Sequence, residues 1–187
     1  MALRNILRDG DPTLRKRSRA VTDFNPRLHQ LIDDMRETLL AAGGVGLAAP
    51  QVGVLRAVAL ILDTEREAES DAGRIVELIN PEIAAQSGEQ SGPEGCLSVP
   101  ELYGIVKRPD IVKVRAFDRD GNTFEFIGKN LTARAICHEV DHLRGIMFTD
   151  LAERYLSEEE LEEMSRERES GGDDTEAGEG DTVEKDV

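Results

Sequence analysis

A chain of 187 residues has the length of one domain able to bury a sizeable core, and its formal net charge of −15 is unevenly spread: residues 157–187 hold 14 acidic and 3 basic side chains, residues 1–156 hold 24 and 20. Neither part reads as a basic stripe, so direct nucleic-acid binding is not expected, and two cysteines, Cys96 and Cys137, are too few for a disulfide framework. No apolar run is long enough to span a bilayer, and the scattered charges of MALRNILRDGDP fit neither a secretory signal nor an anchor, so a soluble cytoplasmic protein is expected.

Asn25-Pro26 reads as an N-cap followed by proline at the first helical position. Leu28, Leu31, Ile32, Met35, Leu39 and Leu40 then recur at helical spacing, and Gly43 is a stop, which predicts an amphipathic helix over 26–42. Strands are predicted at Ala57–Leu62, a continuous apolar run, and at Ile75–Ile79, which ends at Asn80-Pro81. Ile111–Phe117 alternates apolar and polar residues, and Asp120-Gly121 marks a hairpin into Thr123–Ile127. A second helix is expected from Thr132 to Gly145. A third starts at Ser157, where Ser157 and Glu160 form a capping-box pattern, and fades by Ser170. Strands preceding a long helix predict an α+β domain over 1–156 with mostly antiparallel sheets. Residues 171–187 are acidic, glycine-rich and almost without apolar side chains, so they are expected to be disordered and to confer solubility rather than contact RNA.

The chemistry concentrates in three segments. In His138-Glu139-Val140-Asp141-His142 a helix places both imidazoles on one face, within reach of one metal ion, with Glu139 one position along. Two histidines can also be ordinary polar residues of a helix face, but flanking Ala133, Ala135, Ile136 and Leu143 suggest a buried helix, where paired histidines need partners. A catalytic site of this kind needs a third protein ligand and an open position. Phe148 stands where an extended protease motif would carry histidine, and His29 reads as a solvated surface residue. Cys96, in PEGCLSVP, is the better third ligand, because metal binding deprotonates a thiol at neutral pH. A cysteine nucleophile with a histidine base is the alternative, and it leaves Glu139 without a task. Cys137 lies about 100° around the helix from His138 and reads as a packed core thiol. The third segment, GVGLAAPQ over 44–51, is a small-residue loop through which backbone can approach a ligand closely. It lacks phosphate-loop spacing, and Gln51 could donate a side-chain hydrogen bond into a site.

Together GVGLAAPQ, EGCLS and HEVDH, in this order and at these separations, resemble the bacterial-type peptide deformylases, and the likeness runs from ILRDGDPTLRKRS to about Asp150. The resemblance implies a metallohydrolase that removes the N-formyl group from N-formylmethionine of nascent polypeptides. It implies Cys96, His138 and His142 as ligands of one divalent metal, Fe2+ in the cell, with Zn2+, Ni2+ or Co2+ also accepted. It implies Glu139 as general base and acid, with Gln51 and the Leu97 backbone N–H as the oxyanion donors. Gly44, Val45, Gly46, Glu94 and Gly95 are implied on the substrate side. A monomer is expected, transiently near the ribosome and not on a membrane. Two departures stand out: Cys137 occupies a position that is often glutamine in the family, and the acidic tail exceeds the compact family core. An HExxH protease and an inactive peptide-binding homologue are the competing classes.

Overall fold

The first helix, α1 (Pro26–Ala42), is bounded as its caps dictate. The Asn25 side chain accepts hydrogen bonds from the Arg27 and Leu28 N–H groups, and Gly43 closes the helix in the left-handed region at φ 63°. The computed structural model describes residues 2–170, which divide into two units, 2–155 and 156–170.

In the larger unit a five-stranded antiparallel sheet has the order β1-β2-β3-β6-β7. Its members are β1 (Gly46–Ala48), β2 (Val58–Leu62), β3 (Ile75–Ser87), β6 (Ile111–Phe117) and β7 (Thr123–Lys129). Between β3 and β6 the chain makes β4 (Gln90–Cys96) and β5 (Val99–Arg108), which join β8 (Arg154–Tyr155) in a second, three-stranded sheet. The long helix α2 (Asn130–Arg144) packs on the first sheet. The fold is α+β, with every strand pairing antiparallel.

Why Val58–Leu62 is apolar without alternation follows from its neighbours. Val58 and Leu60 join the cluster of α1, built on Leu28, Ile32, Met35 and Leu39, while Ala59 and Ile61 join that of α2, built on Ala133, Ile136 and Val140. Both faces of β2 are covered, so both sets of side chains are apolar. In β6 only Val112, Val114 and Ala116 face α2, which gives the observed alternation. A third cluster, with Leu14, Val99, Val106, Met147 and Phe148, underlies the smaller sheet.

Three boundaries differ from expectation. β3 does not end at Asn80-Pro81 but continues to Ser87 through two register shifts. Asn80 sits at φ 49° and uses its side chain on the Val21 N–H and C=O, both at 2.8 Å, so a bulge absorbs what looked like a terminator. Helix α2 begins two residues before Thr132. The segment 44–51 is not purely a loop: it supplies β1 and a short 3-10 turn, Ala49–Val52.

In the smaller unit, α3 (Glu158–Ser170) starts with the expected box. Ser157 N–H donates to Glu160 at 2.9 Å and Glu160 N–H to Ser157 Oγ at 3.3 Å. The expected disordered stretch 171–187 lies outside the described residues. Among the described residues no helix is long and apolar enough to cross a membrane.

Candidate metal centre

Helix α2 presents His138 and His142 one turn apart, and β4 presents Glu94 and Cys96 two residues apart on an extended backbone. The two periodicities meet. Cys96 Sγ lies 3.3 Å from His142 Nε2, His142 Nε2 lies 3.1 Å from His138 Nε2, and the three donor atoms fall within 4.8 Å of one another. His29 stands outside this cluster, with Nε2 2.8 Å from the Arg119 carbonyl. Cys137 is buried in the α2 core, and burial pushes its thiol up to about 11.

Cys96 reaches the cluster because the β4–β5 register breaks just there. Glu94 faces Gly104, but Cys96 faces Val99, and Glu101 in between takes a left-handed backbone at φ 63°. Sulfur with two imidazole nitrogens is a donor set suited to a borderline-soft divalent cation, with room for a fourth ligand. Local electrostatics favour positive charge at this point. For His138, burial is opposed and outweighed by Cys96 and Glu94, so the imidazolium is held to about 10. Burial and the neighbouring His138 push His142 well down, leaving a neutral ring with a lone pair to offer. Among the described residues Glu139 Oε2 is buried without a hydrogen-bond partner. An unpartnered carboxylate oxygen next to a soft donor set fits a resident cation and its water.

Glu139 is 3% exposed, and burial pushes its carboxyl up to about 7. Its carboxylate lies against Gly46, where an added Cβ would come within 2.3 Å of Oε1. Gly46 is therefore needed for a close approach rather than for an unusual dihedral. Gly44 similarly leaves room for Leu97, whose Cδ1 would stand 2.9 Å from an added Cβ. Val45 is exposed on the same segment. Gln51 is 1% exposed; Ala48 N–H donates to its Oε1 at 2.8 Å, which turns Nε2 toward Cys96 Sγ at 3.5 Å and Ser98 Oγ at 3.2 Å. Gly95 packs against the Tyr103 ring, 2.6 Å from where a Cβ would lie.

Glu94 departs from its expected place on the substrate side. It is 5% exposed and fully engaged beneath the cluster. One oxygen accepts from Arg108 at 2.8 Å and Arg134 at 3.0 Å; the other accepts from Arg108 at 3.0 Å and faces His138 Nδ1 at 3.1 Å. Arg108 also donates to Asp141 at 2.6 Å. Burial would raise the Glu94 carboxyl, but His138 and Arg108 hold it down at about 2. Such a carboxylate fixes the His138 ring through Nδ1 and leaves Nε2 facing the cluster, where a bound cation would take the place of its proton. Sequence reasoning missed Arg108, Arg134 and Asp141. Arg134 lies four residues before His138 and shares its helix face, which was the available signal.

Replacing Glu94 with alanine is expected to weaken metal binding by about 10- to 100-fold, and removing the buried carboxylate that Arg108 and Arg134 share should destabilise the fold by about 3–5 kcal/mol. Titration with a chromophoric chelator and denaturant unfolding of the same preparation check both. Unchanged metal affinity would remove Glu94 from the support of His138.

The chain matches the polypeptide deformylase family model over residues 3–157. It is 51% identical to the peptide deformylase of Caldanaerobacter subterraneus subsp. tengcongensis over 163 residues, covering 87% of this chain and 97% of that protein. It is 46% identical to peptide deformylase 1 of Bacillus subtilis over 164 residues, covering 88% and 99%. Among solved structures, the peptide deformylase of Legionella pneumophila superposes with a TM-score of 0.74 at 38% identity, over 89% of this chain and 98% of that one. That of Thermotoga maritima gives 0.74 at 35%, over 80% and 97%.

Proposed function

This chain belongs to the polypeptide deformylase family, and on that premise we propose which of its residues carry the reaction. The activity is metal-dependent hydrolysis of the N-formyl group of N-formylmethionine at the start of polypeptides, with release of formate. The observation that carries the residue assignment is the convergence of Cys96 Sγ with the two imidazoles, next to the buried Glu139, whose Oε2 has no hydrogen-bond partner among the described residues.

Cys96, His138 and His142 hold one divalent cation, Fe2+ in the cell, and the same donors accept Zn2+, Ni2+ or Co2+. When bound, that ion supplies Lewis acidity, polarising the formyl carbonyl and acidifying a neighbouring water. Glu139 takes a proton from the attacking water, whose oxygen bonds to the formyl carbon. It then delivers the proton to the methionine nitrogen as the C–N bond breaks. Gln51 Nε2 and the Leu97 N–H donate to the oxygen that becomes negative. Both donors are fixed before substrate arrives: Gln51 by Ala48 N–H, and Leu97 by its place next to the ligand Cys96. Gly44, Val45 and Gly46 offer backbone groups to the extended substrate at the outer edge of the larger sheet, and Gly95 borders the same groove. Glu94 positions His138. The protein works in the cytoplasm as a monomer, on chains newly leaving the ribosome.

The test compares formyl-Met-Ala-Ser with acetyl-Met-Ala-Ser and casein. Formate should appear from the first, and neither of the others should be cleaved. A chelator should abolish formate release, and Ni2+ or anaerobic Fe2+ should restore it. Casein cleavage without formate release would reverse the reading in favour of an endopeptidase.

A further inference from the structure

The two oxyanion donors sit on segments of different sheets. Gln51 follows β1 of the larger sheet, and Leu97 lies in the turn between β4 and β5 of the smaller one. Three consecutive residues of the N-terminal segment bridge them. Leu7 N–H donates to the Gln51 carbonyl at 2.7 Å, and Asp9 N–H donates to the Ser98 carbonyl at 2.8 Å. Between these, Arg8 Nη1 donates to the Leu97 carbonyl at 2.7 Å.

The bridge is anchored at both ends. Upstream, Arg4 N–H donates to Thr38 Oγ1 at 3.0 Å, and its guanidinium pairs with Asp34 at 2.9 Å. Downstream, Asp11 caps the 3-10 turn Pro12–Arg15, and that turn buries Leu14 to 1% exposure beside Val99 and Phe148. A segment held on either side can transmit rigidity to the loops it touches.

We infer that Arg8 is a positioning residue for the oxyanion site, acting through the Leu97 backbone. This rests on the assignment of Gln51 and the Leu97 N–H as the oxyanion donors. The Leu97 N–H lies in the peptide plane that precedes that residue, and this plane tilts less when the one that follows is held as well. The preceding plane is restrained by Cys96, whose side chain belongs to the metal cluster. The following plane, Leu97–Ser98, carries the carbonyl that Arg8 grips with a charge-assisted bond, and the next carbonyl is gripped by Asp9 N–H. With both planes held, the N–H keeps one direction, and a donor fixed in advance needs no reorganisation when negative charge develops. Arg8 is exposed, so its bond adds little to global stability, and the role should register in turnover rather than in the thermal midpoint.

The experiment uses metal-loaded full-length protein with Arg8→Met, which keeps the stem and removes the donors, and Arg8→Lys, which restores one charged donor. Losing a whole oxyanion donor costs about 100-fold or more, so loosening one should lower kcat for formyl-Met-Ala-Ser by about tenfold. KM should stay within about twofold, since no ground-state contact is removed. Metal content and the thermal midpoint should be unchanged, and Arg8→Lys should recover most of the loss. Unchanged kcat in Arg8→Met overturns the inference. A defect confined to KM overturns it too, by making Arg8 a substrate contact, as does lost metal or a lowered midpoint. Gln51→Ala, measured alongside, separates the layers. If it too leaves kcat intact, the oxyanion assignment itself fails; if it is impaired while Arg8→Met is normal, only the role of Arg8 fails.

Discussion

Replacing Glu139 with alanine is expected to lower formate release by about 10²- to 10⁴-fold while one equivalent of metal still binds. The proposed ligand set is Cys96, His138 and His142, so Glu139 can be removed without touching a donor atom. No neighbouring acid can substitute. Glu94 is saturated by Arg108, Arg134 and His138, and Asp141 is held by Arg108 at 2.6 Å. Glu139→Gln should be as inactive as the alanine variant, because it keeps the volume and removes the proton acceptor. Gly46→Ala gives an independent check. Its Cβ would fall 2.3 Å from Glu139 Oε1 and must push the carboxylate aside, so activity should drop although every catalytic side chain remains. The measurements are single-turnover formate release and metal content by atomic absorption. Near-normal turnover in Glu139→Ala would move the proton chemistry to another group.

Replacing Cys96 with serine should weaken metal binding by more than the roughly 100-fold that follows loss of an outer partner of a ligand. Serine lies in the same place but stays protonated and offers a hard, neutral oxygen, whereas thiolate supplies charge and softness. Cys137→Ser should leave affinity unchanged. That thiol is 5% exposed and packed in the α2 core, outside the group of three donor atoms that meet at Cys96. Cobalt substitution reads the difference, because thiolate coordination produces a charge-transfer band. The band should vanish in Cys96→Ser and persist in Cys137→Ser. The opposite pattern would transfer the ligand to Cys137 and leave the β4–β5 hairpin without a role at the metal.

What the sequence by itself determined is what depends on near neighbours. Asn25-Pro26 and Gly43 set both ends of α1, because caps are satisfied within one turn. HEVDH put two imidazoles on one helix face, because that follows from helical pitch alone. Asp120-Gly121 placed the β6–β7 hairpin, with Gly121 at φ 86°. Only the tertiary structure decided the rest. Strand β3 ran through Asn80-Pro81 because Val21, 59 residues away, supplied partners for the Asn80 side chain. The β4–β5 hairpin was not legible in a glycine- and proline-rich stretch whose pairing depends on a register break at Glu94 and Cys96. Glu94 looked like a groove residue until Arg108, Arg134 and His138 were seen around it, because a buried carboxylate is recognised by its counter-charges and those come from other elements. Residues 7–9 carry no periodicity, and their place in ILRDGDPTLRKRS says nothing of what they touch, yet they join the two loops of the proposed oxyanion site. Two of their three links are backbone hydrogen bonds, which almost any residue can make, so the side-chain sequence bears no mark of them.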